Sequence, residues 1–168
     1  MAIHFCDILI SPTLESDLHK ITVLHSELFG PGRFARTTYR IREGTPLISP
    51  FCHTAKWKGH FVAAISFTEI KIGNKSGVLL LGPLAVSASH SGLGVGRALV
   101  EISLKQAKYA GVDLVTLVGD LSYYNRVGFI NVPKKQIILP GPFNSDRLLA
   151  CELRQDALRT YRGLIHTT

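Results

Sequence analysis

The sequence predicts one α/β domain over residues 1–168, a mixed central β-sheet flanked by helices. Three observations carry that expectation. Strand-like and helix-like patterns follow one another in the order strand, helix, helix, three strands, helix, strand, short helix, strands. Two near-continuous apolar runs, 78–86 and 112–120, have the character of strands buried on both faces. Between them the stretch SGLGVGRALV sets glycine at 92, 94 and 96 directly ahead of an amphipathic pattern.

Each element has a local reason. HFCDILI (4–10) reads as a short strand. Ser11 or Thr13 can cap a helix over 14–29, whose stripe is Leu18, Ile21, Leu24, His25 and Leu28. Gly30-Pro31-Gly32 stops it, and a more polar helix fits 33–43. Residues 51–57 and 60–72 form a hairpin about Lys58-Gly59, and 73–77 is a turn. Pro83 falls inside the strand 78–86. Proline has no N–H for a ladder, so pairing must lapse there, at a bulge or a splayed edge. The helix after the glycines covers 93–110, with Val95, Ala98, Leu99 and Ile102 on its apolar face and a Glu101–Lys105 pair on its polar one. Gly111 ends it. The strand 112–120, a helical turn over 122–129, a strand near 136–139, a Pro140-Gly141-Pro142 turn and a strand at 147–153 complete the chain.

Composition narrows the function classes. Hydrophobic residues make up 46% and charged residues 18% of the 168, which is globular rather than disordered. No apolar run is long enough for a membrane span, and the N-terminus lacks a signal-peptide pattern, so a cytoplasmic protein is expected. Cys6, Cys52 and Cys151 have no zinc or CxxC spacing and read as free buried thiols, and the seven histidines form no i,i+4 pair, so no metal is expected. The net charge of +7 suits an anionic partner. Because the basic residues are spread out, nucleic acid is disfavoured against a cofactor with several phosphates.

The glycine stretch is where such a cofactor would bind. The first N–H groups of a helix have no internal acceptor and carry partial positive charge. Side chains removed just ahead of them let a pyrophosphate reach the bare backbone, and Arg97 can add charge. The stretch is neither a P-loop GxxxxGK[ST] nor a dinucleotide GxGxxG, since position 97 is arginine. On its own it is also compatible with a plain tight turn.

Its neighbours narrow the reading. Leu84-Ala85-Val86 ends the preceding strand, Ser91-Gly92-Leu93-Gly94-Val95-Gly96-Arg97 follows, and Tyr123-Tyr124-Asn125-Arg126-Val127-Gly128-Phe129 comes one strand later. In this order the segments resemble the GCN5-related N-acetyltransferase (GNAT) family: its L-x-V strand end, its Q/R-x-x-G-x-G/A turn and its F/Y-Y-x-x-x-G-F landmark. With the later LPGP and LLACEL, the pattern over 60–153 looks like a bacterial branch of N-acetyltransferases. The resemblance implies acetyl-coenzyme A as co-substrate, lying between two central strands that splay toward their C-terminal ends. It implies cofactor contacts from Leu84, Ala85, Val86, Ser91, Gly92, Leu93, Gly94, Val95, Gly96 and Arg97, with the pantetheine arm pairing to Leu84 and Val86 like an added strand. Ser91 departs from the usual Gln or Arg and implies weakened, not abolished, binding.

Tyr124 matches the tyrosine that protonates the departing sulfur in the family, while Tyr123 reads as a packing residue. Glu69 is the best-placed acid for a general base. Asp120 is the alternative, although it can equally cap the next helical turn. His90 reads as a loop residue. The acceptor is a small-molecule or peptide amine chosen by residues 28–50 and the tail; Arg33, Arg36, Arg40 and Arg42 there leave room for an acidic group. A homodimer is compatible with the sequence. A cofactor-binding module without turnover is the rival reading, and a nucleic-acid binder the more distant one.

Overall fold

The computed structural model describes residues 7–168. His4, Cys6 and the first half of the strand expected over 4–10 lie outside the described residues. The long central strands come first in the logic of the fold. β3 (His60–Ile72) and β4 (Lys75–Val86) form an antiparallel hairpin, in which alternating apolar side chains feed a core on each face. β1 (Ile8–Pro12) and β2 (His53–Trp57) extend the sheet beyond β3. On the other side β4 is followed by β5 (Leu114–Val118), then β8 (Leu148–Glu152), then the short β6 (Ile130–Asn131). Every neighbouring pair along this path is antiparallel except β4 with β5.

That parallel pair is short. Val78, Leu79 and Leu80 face Leu114, Val115 and Thr116, and the pairing then stops. β4 runs on to Val86 bonded only to β3, while Leu117 and Val118 stay with β8. The lapse expected at Pro83 is a bulge: Ile65 pairs with Leu84 and Phe67 with Leu81, so Gly82 and Pro83 together oppose Ser66. Beyond Leu80 and Thr116 the two central strands are therefore splayed.

α3 (Val95–Tyr109) packs on one face of the sheet, where Leu99, Val100 and Leu104 meet Ile65, Phe67, Leu79, Leu81 and Val115. Full burial of a residue such as Leu99 contributes roughly 1.5–3 kcal/mol. α1 (Leu18–Phe29) and α2 (Thr37–Ile41) contact the sheet through other residues; α1 reaches β3 and β4, and Ile41 joins the second core with Ile70, Val78, Leu80 and Leu114. No helix among the described residues is long and apolar enough to cross a membrane. Cys52 and Cys151 are buried free thiols.

Several boundaries differ from expectation for local reasons. The helix expected over 14–29 opens as a 3-10 turn and becomes α-helical at Leu18, and neither Ser11 nor Thr13 caps it. The Asp17 carboxylate accepts the Leu14 N–H instead, at 2.9 Å. The helix expected over 33–43 is broken by Arg36, whose backbone is extended. The expected turn 73–77 shrinks to two residues, because β4 already begins at Lys75. β9 (Gly163–Thr167), absent from the sequence reading, pairs with the far end of β3 and with β7 (Ile137–Ile138). It is fixed by Tyr161, which is wholly buried and donates its hydroxyl proton toward the Ser76 carbonyl at 2.6 Å.

Candidate active-site cleft

Where β4 and β5 part, a cleft of about 770 Å³ opens. Three segments make its walls: the free edge of β4 from Leu81 to Val86, the turn and first residues of α3, and the segment from the end of β5 into α4 (Leu121–Tyr124). A fourth wall comes from the end of α1 and from α2, through Phe29, Arg36, Tyr39 and Arg42.

The three glycines at the head of α3 have different reasons to be glycine. Gly92 and Gly94 have φ of +74° and +88°, left-handed values that side chains disfavour, and the space around them is open. Gly94 is the N-cap, so the helix starts at Val95 rather than at 93. Gly96 has an ordinary backbone but no room: a methyl there would stand 2.5 Å from the Tyr123 hydroxyl and 3.3 Å from Val86. The turn is thus shaped by two glycines and pressed against the cleft wall by the third. Gly92, Gly94 and Gly96 leave the backbone at the head of the first helical turn bare along the cleft, which fits a pyrophosphate.

Of the residues expected to bind the cofactor, Leu84, Val86, Ser91, Gly92, Gly94, Val95, Gly96 and Arg97 line the cleft. Ala85 and Leu93 are not among the lining residues; Ala85 is buried on the other side of β4 from Leu84 and Val86. Arg97 is engaged with Glu101 at 2.8 Å, an i,i+4 pair that takes the place of the expected Glu101–Lys105 pair. Its charge at the turn is partly spent there.

Tyr124 lines the cleft, packed edge-on between Tyr123 (ring centroids 4.8 Å apart) and Phe129 (5.5 Å). Burial, with help from Tyr123 and Asp120, pushes its pKa above the ordinary phenol value, so the hydroxyl stays protonated at neutral pH. Tyr123 packs on Tyr124, as the sequence suggested, but not in the core. It is 41% exposed and lines the cleft, with its hydroxyl over Gly96.

The acids fall apart in space. Glu69 is exposed on β3 opposite Leu79, beside the last rungs that β4 shares with β5, but it does not line the cleft. Asp120 does line it and is the one carboxylate among the lining residues. It occupies the N-cap of α4, but its side chain makes no capping bond and instead meets Arg147 at 3.2 Å. Arg147 stands at the edge of β8, brought in by β5–β8 pairing that no local sequence signal announces. Arg126 and Tyr39 were likewise not foreseen. His90 lies at the rim, 5.7 Å from the Trp57 ring.

Comparison with known proteins agrees with this geometry. The sequence model of a family described as the acetyltransferase (GNAT) family matches residues 18–129. A protein of Escherichia coli K12 named as the uncharacterized N-acetyltransferase YjhQ is 28% identical over 120 residues, 70% of this chain and 66% of its own length. The match therefore spans just under two thirds of that relative. Among solved structures, the GNAT family N-acetyltransferase YhbS of Escherichia coli in complex with CoA superposes with a TM-score of 0.81 at 23% identity, covering 96% of this chain and 90% of that one. A GNAT family acetyltransferase of Brucella melitensis in complex with acetyl-CoA gives 0.69 at 21% identity, covering 96% of each. These two likenesses are likenesses of fold.

The α2 wall has an electrostatic signature of its own. His25 lies beneath it, its ring 5.8 Å from Phe29. Burial first, and then the charges of Arg33 and Arg42, lower its pKa from 6.5 to about 4. Between those values the unfolded chain binds a proton that the folded chain refuses. Stability is therefore full above pH 6.5 and falls as the pH drops toward 4. The melting temperature of the parent should decline more steeply between pH 7 and pH 5 than that of His25→Phe, which keeps a ring against Phe29. Equal slopes would assign the acid sensitivity to another group.

Proposed function

Since the chain belongs to the acetyltransferase (GNAT) family, we propose that it transfers an acetyl group from acetyl-coenzyme A to a primary amine, by direct attack of the amine on the thioester. The observation that carries this reading is the cleft itself: a β4 edge without a strand partner leads straight to a side-chain-free helix N-terminus, with a protonated tyrosine opposite. An extended pantetheine arm fits the first feature, and its pyrophosphate the second. The binding of CoA and acetyl-CoA by the two structural neighbours supports the same ligand.

Acetyl-coenzyme A supplies an activated acyl carbon and a thiolate leaving group. The protein's part is to position, polarise and move protons. Leu84 and Val86 present the backbone of β4 to the arm, as the added strand would require. The bulge at Gly82-Pro83 turns β4 where the acyl carbon would lie. Asp120 is assigned the proton of the attacking amine. As the C–N bond forms and the C–S bond breaks, Tyr124 gives its proton to the departing sulfur and is reprotonated from solvent. Amine and thioester become amide and free thiol, and no other reactant is needed. Glu69 has no part in this scheme, since it stands outside the cleft. The rival reading, a binding module without turnover, draws on Ser91. Release of free thiol with an amine panel separates the two.

Three measurements test the assignments. Acetyl-CoA should raise the melting temperature of the parent, because it binds the folded state alone, and Gly94→Asp should abolish that rise by setting a carboxylate against the pyrophosphate. A full rise in a folded Gly94→Asp would remove the glycine turn from the site. Tyr124→Phe should bind acetyl-CoA like the parent and turn over roughly 10²-fold more slowly, a loss confined to kcat. Parent-like turnover would return Tyr124 to a packing role. Asp120→Asn should lose about 10²-fold in kcat/KM at neutral pH and recover at high pH, where the amine arrives deprotonated. An unchanged pH profile would give that proton to solvent.

A further inference from the structure

One wall of the cleft holds a half-buried guanidinium with no hydrogen-bond or carboxylate partner among the described residues. Arg42 directly follows α2, and its guanidinium lies beside the β4 bulge: a methyl on Gly82 would stand 2.9 Å from Nη2. Its Nε and Nη1 are shut off from solvent and, among the described residues, have no hydrogen-bond partner. Among those residues it forms no ion pair with any carboxylate; its neighbour is the Tyr39 ring, 5.4 Å from Cζ. The Tyr39 hydroxyl is itself buried and, among the described residues, without a partner. Both side chains line the cleft. His25, close by, is neutral near pH 7 and adds no second positive charge.

Such an arrangement is costly. Buried polar groups are nearly always satisfied, and an unpaired buried charge is among the most destabilising features a fold can keep. Two unsatisfied groups three residues apart, both at the cleft wall, are what a site for an anion looks like before the anion arrives. The cofactor's phosphates do not account for it. In the proposed reading they lie at the glycine turn, beyond the end of β4, whereas Gly82 stands at the other end of the free edge.

We propose that Arg42 and the Tyr39 hydroxyl hold an anionic group of the acceptor, so that the substrate is a small amine bearing a carboxylate or a phosphate a few bonds from its reacting nitrogen. This rests on the acetyl transfer argued above. The short span follows from position: Gly82 is two residues before Leu84, about 7 Å along a strand, and so beside the point where the acyl carbon would lie. A planar guanidinium suits either anion in a bidentate grip. A long or neutral amine would leave both groups desolvated and unpaired.

The test uses matched pairs of acceptors with the full-length protein. In the carboxylate arm, free L-amino acids are compared with their α-carboxamides; in the phosphate arm, O-phosphoethanolamine is compared with ethanolamine. Thiol release is followed, and acetyl-CoA binding is measured separately by calorimetry. One arm should show the anionic member preferred by roughly 10–100-fold in kcat/KM, the order expected when a buried donor gains or loses its partner. The arm that responds names the anion. Arg42→Gln should shrink the preference to about twofold, chiefly through KM. Arg42→Met should melt at or above the parent's temperature, since it removes an unpaired buried charge. No preference in either arm, in a protein that binds acetyl-CoA and acetylates the neutral amines, would overturn the proposal while leaving acetyl transfer intact. A large fall in melting temperature for both variants, with the preference unchanged, would also overturn it and make Arg42 a structural residue. Failure to bind acetyl-CoA at all would instead strike at the underlying reading.

Discussion

The site depends on a ladder that is cut short. Among the described residues, β4 and β5 are the one parallel pair on the path from β1 to β6, and they share three rungs before parting. Backbone groups in the middle of a sheet are normally consumed by the next strand. Here the β4 edge from Leu81 onward keeps one side free because Pro83 and the bulge break its course, while β5 follows β8 away. The resulting gap is at once a cleft and a row of unsatisfied donors and acceptors. The sheet stays whole because β3 supports β4 along nearly its entire length, so the free edge costs the fold one neighbour and not two.

Around that gap the elements contribute chemistry of different kinds. α3 contributes backbone and a helix terminus, the α4 region contributes phenols and a carboxylate, and α2 contributes guanidinium charge. The contact between Gly96 and the Tyr123 hydroxyl ties the first two together. The glycine turn and the tyrosine pair are then parts of one packed unit, and their spacing is set by van der Waals contact rather than by a flexible loop.

Much of this was legible in the sequence. The hairpin 60–72, the end of β4 at Val86, the glycine turn and the Tyr-Tyr motif are all local patterns, and local patterns survive in one dimension. What was not legible is whatever long-range pairing decides. β9 has no distinctive composition and is a strand because β3 offers it an edge. Arg147 faces Asp120 only because β8 lies beside β5. Glu69 stands on a central strand opposite Leu79, yet its exposed side chain does not line the cleft, which only the assembled walls decide. The basic character of residues 33–42 was visible. That Arg42 has no carboxylate partner among the described residues was not, since pairing is a property of the assembled wall.

The bulge also carries a constraint on how the chain can change. Before it, Leu79 and Leu81 face α3; after it, Leu84 and Val86 do. Odd positions give way to even ones, because Gly82 and Pro83 together occupy one step of the partner strand. The phase of the strand is therefore reset in the middle of the site. Loss or gain of a single residue here, of the kind an outlying turn absorbs without trouble, would turn Leu84 and Val86 toward the opposite core. A place that looks like an irregularity in the sheet is thus one of the few where chain length itself is under constraint.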